Sequence, residues 1–157
     1  MSKPLMVHVI TNFAGVGGAE MMLARLIQYT EHQYEHVIIA LMKTSEVYQS
    51  TLDRCQAHYA LDWNGINTLG TVSKLRTLLK KLQPATVQCW MYHANVLTSL
   101  SIIGLAQKPK VVWGIHHSLA SPKDESISTK IALGLSKILS QQASAIIYCA
   151  HSSMQQH

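Results

Sequence analysis

Three loops hold the residue types that could do chemistry. The first reads Asn12-Phe13-Ala14-Gly15-Val16-Gly17-Gly18-Ala19-Glu20. Glycines let backbone N–H groups approach a ligand closely, and a helix that starts there turns its positive end toward an anion, which suits a phosphate. It is not a dinucleotide fingerprint. Glu20 stands where a third glycine belongs, and Leu41-Met42-Lys43 stands where a ribose-binding acid would end the second strand. No Gly-Lys-Ser/Thr follows, so it is not a P-loop either. A tight strand-to-helix turn, with Glu20 favouring the helix dipole, needs the same residues.

The second loop, Trp90-Met91-Tyr92-His93-Ala94-Asn95, offers His93 and Asn95. Both can bond a ligand at the loop's edge, and both suit the cap of a helix at Ala94. The third, Val112-Trp113-Gly114-Ile115-His116-His117-Ser118, sets two histidines at a strand end. Side chains alternate in extended backbone, so one of the pair faces a cleft and the other faces the packing. Cys55, Cys89 and Cys149 stand far apart with no C-x-x-C pair, giving neither a disulfide framework nor a zinc site. No metal motif, hydrolase-type carboxylate pair or Gly-x-Ser-x-Gly elbow stands out.

Ligands of open parallel α/β sheets bind beyond the carboxyl ends of the strands, and an alternation of strands and helices places these loops there. Leu5 to Ile10 reads as a buried strand. From Gly18, Ala19, Met22, Leu23, Leu26 and Ile27 recur at helical steps. His36 to Met42 is a second strand, completing a βαβ unit. His58 to Leu61 is a short edge strand. Val72, Leu75, Leu79 and Leu82 mark one face of a helix over Leu69 to Leu82, stopped by Pro84. Then follow a strand over Thr86 to Met91, a helix over Asn95 to Ala106, and a strand over Lys110 to Ile115. A helix over Ile127 to Leu139, a strand over Ala145 to Cys149 and a helix opening at His151 complete the pattern. Such alternation predicts a Rossmann-like α/β domain of three layers with a mostly parallel sheet.

The chain has 157 residues, 48% of them apolar and 13% charged. That suits a single folded domain and excludes disorder. No secretory signal opens it, and Val96 to Ala106 is about half the ~20 residues a bilayer requires. The expectation is a cytoplasmic chain. The net charge of +5 comes without a zinc-finger spacing or an RNP-type strand, so no nucleic-acid partner is expected. The helix over Leu69 to Leu82 carries Lys74, Arg76, Lys80 and Lys81, a single partial signal for weak peripheral contact with an inner membrane face.

Gly-Val-Gly-Gly-Ala-Glu after the first strand resembles the Gly-Gly-Ala-Glu loop of family 4, retaining GT-B glycosyltransferases. The stretches at Trp90 to Asn95, Val112 to Ser118 and Ile147 to Ser153 resemble three later segments of that family in order. The resemblance implies that residues 1–157 are the amino-terminal, acceptor-side half of a GT-B fold. A carboxyl-terminal domain would hold the nucleotide sugar, a substrate rather than a cofactor, and the acceptor would be a glycan or a lipid-linked glycan. It implies Gly17 and Gly18 on the donor-phosphate side, and His116 as the group that hydrogen-bonds the transferred sugar. His117 competes for that place, and His93 and Asn95 lie toward the acceptor or sugar. The family's paired glutamates of the second domain have no counterpart here. On this reading the isolated chain does not transfer sugar and tends to self-associate through uncovered apolar faces. A non-catalytic module that binds a nucleotide or sugar phosphate, and a docking subunit supplying half a site, remain the rival expectations.

Overall fold

The computed structural model describes residues 2–115, 131, 134, 139, 140 and 143–148. Six strands form one parallel sheet: β1 (Leu5–Ile10), β2 (Glu35–Ala40), β3 (Ala57–Ala60), β4 (Thr86–Trp90), β5 (Lys110–Ile115) and β6 (Ala145–Tyr148). Their order is β3-β2-β1-β4-β5-β6, the doubly wound arrangement in which the chain first runs outward one way from β1 and then the other. All five pairings are parallel, so the expected mostly parallel sheet is parallel throughout.

Side-chain alternation divides the core between the two faces. Val7, Val9, Val37, Ile39, Val87, Cys89, Val111 and Trp113 point to one face. There they meet α3 (Thr68–Leu82) and α4 (Tyr92–Ser101). Ile10, Ile38, Ala40 and Trp90 point to the other, toward α1 (Gly18–Thr30) and the short α2 (Gln49–Asp53). α1 buries Ala19, Leu23 and Ile27, and α3 buries Thr71, Leu75 and Leu79, each at helical spacing. Gln83 ends α3 in the left-handed region (φ 45°, ψ 57°), its N–H donating to the Leu79 carbonyl, and Pro84 keeps the helix from resuming.

Several boundaries differ from the periodicity. β2 stops at Ala40 rather than Met42: Leu41 and Met42 still donate to the carbonyls of Ile10 and Thr11, but as a turn leaving the sheet. β3 lies one residue earlier than His58 to Leu61. A 3₁₀ turn at Glu46–Tyr48 and α2 fill a stretch that carried no periodic signal, because it buries only Tyr48, Thr51 and Leu52. The helix expected over Asn95 to Ala106 runs instead from Tyr92 to Ser101. It begins early because the Met91 carbonyl already accepts from Asn95 N–H, and it ends early at a turn in which Gly104 takes φ 75° and Leu105 N–H bonds to Ile102. Leu105 still reaches the core, which is why its segment reads as helical from sequence. β4 ends at Trp90, one residue short of Met91. Ile131, Gly134 and Leu139 are helical, while most of the helix expected over Ile127 to Leu139, together with Cys149 and His151 to His157, lies outside the described residues. Among the described residues no helix is long and apolar enough to cross a membrane.

Candidate functional site

β1 and β4 lie side by side at the point where the winding reverses, with Ile10 level with Trp90 and Trp90 level with Gly114 on β5. The loops that leave β1 and β4 therefore open a crevice at the carboxyl edge, the usual ligand position in such sheets.

The first loop is held from beneath. Phe13 is fully buried, its N–H donates to the Lys43 carbonyl at 2.9 Å, and its ring stacks on Tyr48 at 4.2 Å between centroids. The Tyr48 hydroxyl in turn donates to the Gly15 carbonyl at 2.7 Å. Burial raises the Tyr48 pKa, and the Glu20 charge raises it further. Val16, just past this clamp, is 78% exposed.

Gly17 caps α1 with φ −142° and ψ 173°, extended backbone open to any residue. An added Cβ would lie 2.5 Å from the Glu20 carboxylate, the mobile end of a flexible side chain that can move aside. That carboxylate, from the first turn of α1, folds back over the helix start and occupies the ground a phosphate would take. Gly18 faces open space. The room for a ligand at this helix end is therefore at Gly18, with Glu20 as a movable occupant beside Gly17.

The β4 loop contains a strained residue that sequence reasoning passed over. Met91 has φ 78° and ψ 168°, a region that side chains other than glycine rarely enter. Its N–H donates to Gly114 and its carbonyl accepts from Asn95, so both ends of the peptide unit are fixed. No side chain caps α4, so neither His93 nor Asn95 serves as its N-cap. His93 is half-buried with its ring 5.1 Å from Trp63. Asn95 is fully buried, and its Oδ1 and Nδ2 have no hydrogen-bond partner. His116 and His117 follow Ile115 directly and lie outside the described residues.

Beneath the crevice runs a buried polar chain on the α1 face, which only the pairing of strands reveals. Trp90 Nε1 donates to His8 Nδ1 at 3.3 Å. His8 Nε2 meets His36 Nδ1 at 3.0 Å, and His36 Nε2 meets Thr30 Oγ1 at 3.0 Å. Thr30 Oγ1 donates to the Leu26 carbonyl at 2.6 Å. An indole N–H can only donate, so His8 Nδ1 accepts and the neutral ring carries its proton on Nε2. His36 then accepts at Nδ1 and donates from Nε2. Every member is satisfied only with both rings neutral. Burial accordingly lowers the His8 pKa to about 3, with the His36 charge acting the same way. Burial also lowers that of His36, against the raising effects of the Thr30 backbone, Glu35 and Glu31.

Cys55 and Cys89 are free thiols whose pKa values burial pushes up to about 12, which leaves them without a reactive thiolate. Among the described residues no group of three His, Cys, Asp or Glu side chains could hold a metal ion.

A doubly wound parallel sheet with a glycine-bearing loop at its switch point is a Rossmann-like α/β domain. The chain belongs to Glycosyltransferase Family 4, whose profile matches residues 16–157. Among solved structures, Anabaena HepE (Alr3699) in complex with UDP aligns at a TM-score of 0.67 and 16% identity over 98% of this chain and 39% of that one. HepE in complex with UDP-glucose aligns at 0.69 and 15% identity, over 96% and 39%. The apo lipopolysaccharide outer core galactosyltransferase WaaB aligns at 0.71 and 12% identity, over 97% and 41%. No curated protein matches the chain. The chain spans about two-fifths of the length of these solved structures.

Proposed function

We propose that this domain is the acceptor-side half of a two-domain retaining glycosyltransferase that moves a sugar from a nucleotide-sugar donor to a glycan or lipid-linked acceptor. The observation that carries the reading is the family match over residues 16–157 together with the free space at Gly18, at the amino end of α1 and on the switch-point crevice. HepE, solved with UDP and with UDP-glucose, supports a uridine nucleotide sugar as the first donor to try.

In this reading the donor's phosphates come to the N–H groups at Gly17 and Gly18 from a facing domain. Their charge displaces the Glu20 carboxylate, which swings out on its flexible side chain. The clamp of Tyr48 on Gly15 keeps the loop in place while Glu20 moves. His116, the residue after β5 in sequence, hydrogen-bonds the transferred sugar, with His117 its competitor for that place. The half-buried ring of His93 lines the acceptor or sugar side, and the fully buried, unpartnered amide of Asn95 meets a carbohydrate hydroxyl only once the turn at Met91 opens.

The test is transfer from UDP-sugars by a protein that carries both halves. His116→Ala is expected to lower turnover by about 10²-fold, the worth of a hydrogen bond strengthened in the transition state, with the melting temperature unchanged. His117→Ala is expected to retain the rate. Loss of transfer in His117→Ala alone would move the role to the neighbour, and full activity in both variants would end it. The 157 residues by themselves are expected to transfer nothing, and turnover by them would refute the two-domain assignment.

A further inference from the structure

Charge is unevenly divided along residues 2–115. Residues 2–62 hold four bases and six acids, whereas residues 63–115 hold six bases (Lys74, Arg76, Lys80, Lys81, Lys108 and Lys110) and no Asp or Glu at all. That second stretch is α3, β4, α4 and β5, so these four elements carry charge of one sign only.

That charge meets a concavity. A pocket of about 550 Å³ lies at the amino-terminal edge of the sheet, opposite the switch-point crevice, between the end of α3 and the segment that enters β5. Among the described residues, Lys80, Lys108 and Lys110 line it and no acid does. Leu79 and Leu105, both buried in the core, and Pro84 give it an apolar wall, and Gln83 and Gln107 add amides. Its walls are fixed by backbone. Gln83 is locked by its bond to Leu79, Lys110 N–H donates to the Ala85 carbonyl, and the Arg76 guanidinium donates to the carbonyls of Ser101 and Ile103, tying α3 to the end of α4. Neither ion pair among the described residues involves any of the three lysines.

Lys80 has a structural reason to stand where it does, since it complements the negative end of α3. Lys108 and Lys110 end no helix: Lys108 lies in the connection from α4, and Lys110 opens β5 on the other side of Pro109. Three like charges around one concavity set up a positive potential that an anion would neutralise. The volume falls in the range of small-molecule sites, and a flat bilayer would reach only the rim.

We propose that this amino-edge pocket binds a small phosphorylated molecule, with the three lysines on its phosphate groups and its body against Leu79, Pro84 and Leu105. The site is separate from the crevice and does not depend on the transferase reading.

Inorganic pyrophosphate serves as the probe, titrated into the chain at constant ionic strength with backbone amide shifts as the readout. Saturable shifts are expected at Gln83, Ala85, residues 105–108 and Lys110, and the affinity is expected to fall about tenfold or more in Lys80→Gln/Lys108→Gln/Lys110→Gln, each lost contact being charge-assisted. Lys74→Gln/Lys81→Gln, which removes charge from the same helix outside the pocket, is expected to bind within about twofold of the parent, and circular dichroism checks that both variants fold. Shifts confined to residues 15–20 would assign the phosphate to the crevice and overturn the proposal. So would equal weakening in the two variants, the mark of a diffuse field, or a failure to saturate. Binding to phosphatidylglycerol vesicles without binding to pyrophosphate would replace the small molecule by a membrane surface.

Discussion

Lowering the pH from 7.5 to 5.0 should destabilise this domain well before its carboxylates titrate. His8 and His36 close a chain of donors and acceptors that runs from Trp90 to the Leu26 carbonyl. A proton added at His8 Nδ1 would face the Trp90 N–H, and one added at His36 Nδ1 would face the His8 N–H. Both rings therefore hold depressed pKa values in the folded state, while the unfolded chain takes up protons near the ordinary 6.5. Above about 6.5 neither state is protonated and the stability is intact. Below it the unfolded state binds more protons, and stability falls until the folded pKa is reached. For His8, with a folded value of about 3, the loss at pH 5.0 spans about 1.5 units at ~1.4 kcal/mol each, or about 2 kcal/mol. His36 adds to it in the same direction.

Urea unfolding followed by tryptophan fluorescence reads this directly. A loss of about 2 kcal/mol moves the midpoint by about 1 M at a slope of ~2 kcal/mol/M, and the melting temperature by about 4–8 °C. His8→Leu/His36→Leu should start from lower stability at pH 7.5, because Trp90 loses this acceptor, but should show a much flatter pH profile. Thr30 keeps its own bond to Leu26 in that variant. A parent profile that is level between pH 7 and 5, or a double variant with the parent's slope, would refute the neutral-pair reasoning.

Tyr48→Phe removes the bond to Gly15 but keeps the ring on Phe13, so stability should fall by about 1 kcal/mol while amide exchange quickens at Gly15 to Gly18. Met91→Gly should raise stability by about 1–2 kcal/mol in the same unfolding assay by relieving the positive φ, and any loss would mean that the Met91 side chain outweighs the strain. Asn95→Leu should stabilise by about 1 kcal/mol or more, since a buried amide without partners gives way to a side chain of similar volume, while transfer by a protein with both halves should fall. Val16, Val47, Ile66 and Leu69 are between 66% and 95% exposed on or beside the carboxyl-edge loops, so the isolated chain should sediment as larger species at rising concentration, and a monomer throughout would count against an uncovered face there.

The periodic parts of this fold were legible because burial alone sets them. β1, β5, the start of α1 and the inward stripe of α3 lie where apolar spacing puts them. What escaped depends on partners distant in sequence. His8 and His36 each interrupt an apolar strand, and two such histidines are a signal that a buried polar pair is waiting. Only the register of β1 on β2, and of β1 on β4, brings the two rings and Trp90 together. The strand-to-helix turn at the glycine loop lies between β1 and α1 as its residues suggest, but not through a left-handed glycine. None of Gly15, Gly17 and Gly18 has a positive φ; Gly17 makes room for the Glu20 carboxylate and Gly18 leaves space. The early start of α4 could not be read because it turns on Met91, an ordinary residue by type.

Strain of the kind seen at Met91 survives only where the surroundings over-determine it. Here they do so from both sides. Trp90 before it is buried on the α1 face and bonded to His8, while Tyr92 after it is buried with the core of the other face. Two aromatic anchors on opposite faces of the sheet leave one residue in which to reverse direction, and the bond from Met91 N–H to Gly114 fixes that reversal against β5. The turn then opens α4 toward the crevice rather than extending β4 through it. The neutral histidine chain thus holds one of the two anchors that keep the switch-point turn in place. Stability at the buried pair and geometry at the candidate site are for this reason the same structural fact, joined through Trp90.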